Sequence, residues 1–310
     1  MMKGRRFVLL ISILLAIILL GLFVASAVIY NMNFNRRFTT SSADRKYHLN
    51  YPHMAYESCN FASNTGHQLS GWKYSSKDSS TPAKAVIVFA HGFGAGGQIG
   101  YLSIFDSLTK AGYLVFAYDA TGNDVSEGKG TRGLPQGVID LEHAIRYART
   151  LPEYEGLPFI LMGYSWGAYS VANVLNFCPD VQAAVTFSGF NRSVEIFTDT
   201  GRQRAGILAD IMTPFVQIYE FFRFGKYACV SGISGFRKTD APVLVVHSKD
   251  DGVVPTRIGI DKYQKAFSGT DRITFLEYEE KGHDIFFIPH TKGYDASMME
   301  QVIAFLDAQL

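Results

Sequence analysis

The stretches AVIVFAHG (85–92), YLVFAYD (113–119), FILMGY (159–164), VQAAVTFSG (181–189), APVLVVHS (241–248) and RITFLEY (272–278) are short apolar runs. They lack the alternation of a strand with one wet face, so each reads as a strand buried on both sides. Between them the apolar spacing becomes helical. Residues 99–111 predict one helix and residues 136–151 another, with Val138, Leu141, Ala144, Ile145 and Ala148 on one face. Residues 256–267 and the closing ASMMEQVIAFLDAQ predict two more. Buried strands alternating with helices dictate an α/β architecture, a mostly parallel central sheet covered by helices on both faces. MAYESCNF and HQLSGWKYSS, ahead of these, predict a leading antiparallel pair. A chain of 310 residues is long enough for one such domain with a substantial core.

The alternation fails once. Between the runs at 181–189 and 241–248 there is no strand signal, but Leu208, Ile211, Phe215, Ile218 and Phe222 follow a 3,4,3,4 spacing. That is a helical apolar stripe. The expectation is a helical cap at about 190–240 lying above the strand ends, with Leu208, Ile211, Phe215 and Phe222 as candidate substrate-binding residues.

The N-terminus carries a second signal. After Lys3, Arg5 and Arg6, residues 7–30 are free of charge, long enough to cross a bilayer as a helix. VASA (24–27) resembles a signal-peptide cleavage site, but the apolar run exceeds the usual length of about 7–15 residues. Residues 1–30 are therefore expected to be a membrane anchor, with a cleaved signal peptide and a secreted product as the alternative. Arg36, Arg37, Arg45 and Lys46 nearly balance the charges ahead of the segment, and the expected orientation places the N-terminus inside and the bulk of the chain outside the cytoplasm. The polar residues 31–52 read as a linker, and residues 53–310 as the folded domain.

Composition narrows the function classes. A net charge of +1 and 47% hydrophobic residues suggest neither disorder nor nucleic-acid binding. Cys59, Cys178 and Cys229 are too few for a disulfide framework and fit no zinc spacing.

Chemistry is concentrated where strands end, the usual place for sites in open parallel sheets. In FILMGYSWGAYSVANVL (159–175) a buried strand breaks at Gly163-Tyr164-Ser165-Trp166-Gly167 and resumes as a helix. Ser165 sits in that strained turn, where small neighbours let the two backbones approach. A serine hydroxyl needs a base, and the base needs an orienting group. Among eight histidines His283 is the best base, in the turn EKGHD after a strand, with His290 its nearest rival. His143 lies within a helix, and His48, His53 and His67 come before the sheet's centre. HSKDDGVVP (247–255) offers Asp250 or Asp251 as the acid; adjacent side chains point apart, so one of the two can face the histidine. HGFGAGG (91–97) follows another strand, with glycines that let backbone N–H groups point into a site. No Gly-Lys-Ser/Thr follows, which rejects a nucleotide P-loop.

Together these residues resemble the α/β-hydrolase superfamily, in its serine-hydrolase branch of monoacylglycerol-lipase-like and serine-aminopeptidase-like enzymes. The likeness spans roughly residues 53–310. YDATGNDVSEG (118–128) is similar to the family's Asp-x-x-Gly-x-x-x-Ser segment at Asp119, Gly122 and Ser126, with Asn123 where a histidine is common. HSKDDGVVP resembles the His-Gly-x-x-Asp-x-x-Val-Pro segment, with Ser248 replacing the glycine. In that alignment Asp251 takes the catalytic place. Phe93 and Trp166 match the two backbone oxyanion donors. The resemblance implies acyl transfer to water by Ser165, His283 and Asp251, with no metal or organic cofactor.

The leading expectation is a membrane-anchored serine hydrolase acting on carboxylic esters, including lipid-like acyl esters. Its partners would be the acyl substrate and a bilayer contacting residues 7–30. The second is a serine aminopeptidase, which needs carboxylates to hold a substrate amine; the cap offers Glu195, Asp199, Asp210 and Glu220. The third, of another class, is a non-catalytic membrane-tethered binding protein on the same fold.

Overall fold

The computed structural model describes residues 2–42, 47–78, 82–94, 97–288 and 294–310. Its centre is an eight-stranded sheet in the order β1-β2-β4-β3-β5-β6-β7-β8. The strands are β1 (Met54–Ala62), β2 (Gln68–Ser76), β3 (Val86–Ala90), β4 (Leu114–Tyr118), β5 (Phe159–Tyr164), β6 (Ala183–Phe187), β7 (Val243–Ser248) and β8 (Ile273–Tyr278). β1 and β2 form an antiparallel hairpin and β2 joins β4 antiparallel. All remaining pairs, from β4 through to β8, are parallel. The apolar runs are therefore the parallel strands.

Helices cover both faces, and the strand residues divide between them as the pleat requires. Val86, Val88 and Ala90 face one core layer with α3 (Gln136–Ala148), α4 (Trp166–Val174), α7 (Gly232–Lys238) and α8 (Ile260–Ala266). Ile87 and Phe89 face the other, with α2 (Leu102–Lys110) and α9 (Ala296–Asp307). Each fully buried Val, Ile, Leu or Phe in these layers contributes roughly 1.5–3 kcal/mol. The expected helix at 99–111 opens as a tight turn over Gln98–Tyr101 before α2, and the one at 256–267 as Thr256–Ile258 before α8.

The segment between β6 and β7 holds α5 (Ser193–Ala205) and α6 (Ile207–Phe224), then a short turn and α7. At the other end of the chain, α1 (Met2–Phe34) is long and apolar enough to cross a membrane. Its first half is exposed, but from Leu22 onward one face (Ser26, Tyr30, Phe34) turns toward the body and packs along α6.

Here the structure differs from the sequence expectation in two places. The residues read as a linker from 31 onward continue α1 to Phe34, and Phe38 then forms a bridge with Asn123. The reason is that their polar side chains bond to the body: Asn31 Nδ2 donates to Tyr219 at 2.6 Å, and Arg37 Nη2 to the Asp124 carbonyl at 2.7 Å. The α6 stripe also faces the other way. Leu208 and Phe222 are 57% and 77% exposed, Ile211 is exposed and Phe215 half-buried. The buried side of α6 is Ala209, Val216, Glu220 and Phe224, because that is the side α1 and α5 cover.

Candidate active site

The two glycines around Ser165 have a steric explanation. A Cβ on Gly163 would lie 2.4 Å from the Gly167 carbonyl oxygen, and one on Gly167 1.9 Å from that of Ala90. The end of β5, the start of α4 and the end of β3 thus touch backbone to backbone. Ser165, between them, has φ 53° and ψ −112°, a region side-chain-bearing residues rarely enter. Such strain costs about 1–3 kcal/mol and persists where the surroundings impose it. Here Ser165 N–H donates to Phe187 O at 2.8 Å, and Trp166 Nε1 donates to Leu134 O at 2.8 Å. The turn presents the Ser165 hydroxyl to a cleft.

His283 reaches that hydroxyl from the loop after β8. Its Nε2 is 3.0 Å from Ser165 Oγ, and its Nδ1 is 2.8 Å from Asp251 Oδ2. An ionised carboxylate can only accept, so Nδ1 carries the proton toward Asp251 and Nε2 accepts from the serine hydroxyl. Asp251 is buried after β7, and its other oxygen accepts from the N–H groups of Val253 and Val254 at 2.9 and 2.8 Å. Burial pushes the Asp251 pKa up, but the bonds from His247, His283 and Val254 outweigh it and hold the carboxyl well below the usual range. It stays ionised and oriented.

Asp250 points elsewhere. Its Oδ1 accepts from Ser248 Oγ at 2.5 Å and from Gly282 N at 2.8 Å, and Ser248 Oγ accepts from Lys281 N at 2.8 Å. Asp250 and Ser248 clamp the turn that carries His283, which gives the serine in place of a glycine a use. Tyr164 closes the same loop from beneath, its hydroxyl donating to Asp284 at 2.8 Å. The sequence marked Ser248 as a departure from the family segment but gave neither it nor Tyr164 a role, because each bonds to a loop distant along the chain.

The cleft beside Ser165 and His283 has a volume of about 260 Å³ and is walled by Phe34, Phe93, Leu134, Phe190, Ile196 and Val254. Phe93 and Trp166, the expected oxyanion donors, both border it, their rings 5.4 Å apart. Trp166 N–H belongs to the unpaired first turn of α4. The loop holding Phe93 is pinned by His91, whose Nδ1 donates to Gly92 O at 2.8 Å while Nε2 accepts from Ala120 N at 2.9 Å. Burial pushes the His91 pKa down, consistent with this neutral ring. Residues 95 and 96 of the glycine-rich loop lie outside the described residues.

The structure does not bring Leu208, Ile211, Phe215 and Phe222 to this cleft. Their apolar spacing marks a helix face without saying what covers it. Phe34, by contrast, lines the cleft from a segment read as linker. His290 lies outside the described residues, and His53, His67 and His143 bond to Asp106, Thr65 and Ala62. The cap's acids are engaged: Glu195 with Lys262, Asp199 with Arg257, Asp210 with Arg202, and Glu220 with Tyr30 and Ser193. Among the described residues no group of three or more His, Cys, Asp or Glu side chains is placed to hold a metal ion.

Residues 81–219 match the family model described as serine aminopeptidase, S33. Solved structures share the fold. An esterase of Pyrococcus furiosus superposes with a TM-score of 0.66 at 15% identity, over 89% of this chain and 97% of that one. The acylaminoacyl peptidase of Pyrococcus horikoshii gives 0.64 at 17% identity, over 86% of this chain and 44% of that one. An α/β hydrolase of a Penicillium species gives 0.57 at 16% identity, over 82% and 99%. No curated protein matches the chain.

Proposed function

We propose that this chain, which has the α/β-hydrolase fold and resembles its serine hydrolases, cleaves carboxylic esters with Ser165 as nucleophile. One observation carries the reading: the unbroken hydrogen-bond chain Ser165–His283–Asp251 opening onto an apolar cleft. Ser165 Oγ attacks the ester carbonyl as His283 Nε2 takes its proton. Asp251 stabilises the imidazolium without taking that proton. The oxygen of the tetrahedral intermediate accepts from the Phe93 and Trp166 N–H groups, each worth about 3–4 kcal/mol. His283 then protonates the departing alcohol, and the same residues activate a water to release the acid.

The apolar lining supports an ester over a charged substrate. The cleft is smaller than the roughly 300–1,000 Å³ of sites for drug-sized ligands, which supports a short acyl group. The α1 helix supports a membrane-attached enzyme whose first turns lie in lipid.

The aminopeptidase reading has one observation in its favour beside the family match. Asp284, held by Tyr164, borders the cleft and could receive a substrate amine. A panel of p-nitrophenyl esters and aminoacyl arylamides separates the two. Esters should turn over faster; arylamides turning over faster would reverse the assignment. Ser165→Ala should lower kcat/KM by on the order of 10⁵–10⁶-fold and abolish fluorophosphonate labelling. Labelling that persists in that variant rules out Ser165, and a native chain that never labels favours a binding protein.

A further inference from the structure

One wall of the cleft comes from outside the strand-end loops. Phe34, the last residue of α1, lines it, and its ring meets those of Tyr30, Phe93 and Phe197 at 5.3, 5.9 and 6.5 Å. The chain on either side of Phe34 is fastened down. Tyr30 OH accepts from Leu134 N at 2.9 Å, and Thr131 Oγ1 donates to Phe34 O at 2.7 Å. Phe38 N donates to Gly122 O at 3.1 Å, and Phe38 O accepts from Asp124 N at 2.9 Å. The body is shaped to receive this strap. A Cβ on Gly130 would lie 2.6 Å from Asn35 Oδ1, and one on Gly133 2.8 Å from Tyr30 OH. So the half-buried Phe34 is fixed by hydrogen bonds of the chain on either side of it.

We infer that Phe34 is a specificity-determining residue, a fixed ring at the acyl side of the cleft that limits the length of chain the enzyme accepts. The inference rests on the hydrolase reading. In that reading the departing alcohol must lie at His283 to receive its proton, so the acyl group left on Ser165 extends the other way, toward Phe93 and Phe34. Phe34 and Phe38 both pack on the Phe93 ring, Phe38 edge-on at 4.9 Å. The same strap therefore also steadies the backbone that would hold the oxyanion.

The test uses the full chain in detergent micelles, with Phe34→Ala and Phe34→Leu beside the native protein and p-nitrophenyl butyrate and decanoate as substrates. One methylene more or less in an apolar pocket changes kcat/KM by about 10–200-fold, so Phe34→Ala should raise the decanoate-to-butyrate ratio at least about tenfold. Phe34→Leu, the milder change, should raise it less and serves alone if the alanine variant does not fold. Ratios within about twofold of native in the folded variants, with Ser165 still labelled by a fluorophosphonate, overturn the role given to Phe34 while leaving the hydrolase reading intact. A native chain that is never labelled and cleaves neither ester removes the hydrolase reading, and this inference falls with it.

Discussion

The loop cluster around Ser165 and the contact between α1 and α6 are built on opposite principles. In the first, each side chain sits one turn beyond a strand, so geometry follows from local signals: the glycines fix the Ser165 turn and the ends of β7 and β8 aim Asp251 and His283. In the second, the contact joins residues 190 positions apart, Tyr30 donating to Glu220 at 2.5 Å, with Ser193 donating to the other carboxylate oxygen at 2.6 Å. A buried carboxylate with two donors is costly to disrupt, since removing one partner strands the other. The comparison teaches that the geometry of a candidate site can be specified by short motifs while the walls around it depend on distant pairings.

The sharpest way to break the comparison is at the two adjacent acids. Asp251→Asn should lower kcat/KM for an ester about 10⁴-fold, by upsetting the His283 tautomer. Asp250→Asn keeps a side-chain oxygen for the Ser248 and Gly282 bonds and should cost far less than the loss of the acid. Steady-state kinetics on the two variants decide it, and equal losses would mean that the turn clamp matters as much as the acid.

The next largest effect belongs to the distant pairing. Tyr30→Ala removes a fully buried ring and leaves Glu220 short of a partner, at a cost of roughly 3–5 kcal/mol. Deleting residues 4–21, which α1 leaves largely exposed, should leave the melting temperature unchanged, whereas deletion through Tyr30 should lower it as the alanine variant does. Thermal unfolding in detergent compares the three.

Glu220 adds a pH signature to the same contact. Burial, opposed by the Ser193 and Tyr30 hydrogen bonds and by Arg192, pushes its pKa up to about 7 from the ordinary 4.5. A raised carboxyl favours the folded state fully below the unfolded value and loses that advantage as pH rises through 7. Relative to Glu220→Gln, the native chain should therefore lose roughly 3 kcal/mol of stability between pH 4.5 and 8. Denaturant midpoints across that window measure it; a parallel pH dependence of the two chains would mean the carboxyl stays ionised. The smallest effect is expected on the outer face of α6, where Phe222→Ser should change stability by no more than about 0.5 kcal/mol.

These contrasts explain what could be read in the sequence. The parallel sheet was legible because strands buried on both faces are continuous apolar runs, and Ser165, Asp251 and His283 were legible because each follows one. Asp251 was separable from Asp250 through a family pattern rather than from residues alone; in the structure Oδ2 of Asp251 faces the histidine and Asp250 bonds to Gly282. The α6 stripe misled because periodicity reports that a helix has an apolar side, while the choice of buried side depends on what packs there. Asn31, Asn35 and Arg37 read as linker because polar residues suggest solvent, yet here they bond to Tyr219, the Arg132 N–H and loop carbonyls. Phe34 had no signal of its own.

Helix α1 runs unbroken from its apolar start to Phe34 at the cleft. On the membrane-attached reading it acts as a ruler: a 20-residue span beginning at Phe7, after the two arginines, ends at Ser26, and the rise from there to Phe34 is roughly 12 Å. Such a rod sets a fixed working height above the lipid. Molecules that bring their scissile bond to that height are within reach of the serine, and those held farther out by a bulky headgroup are not.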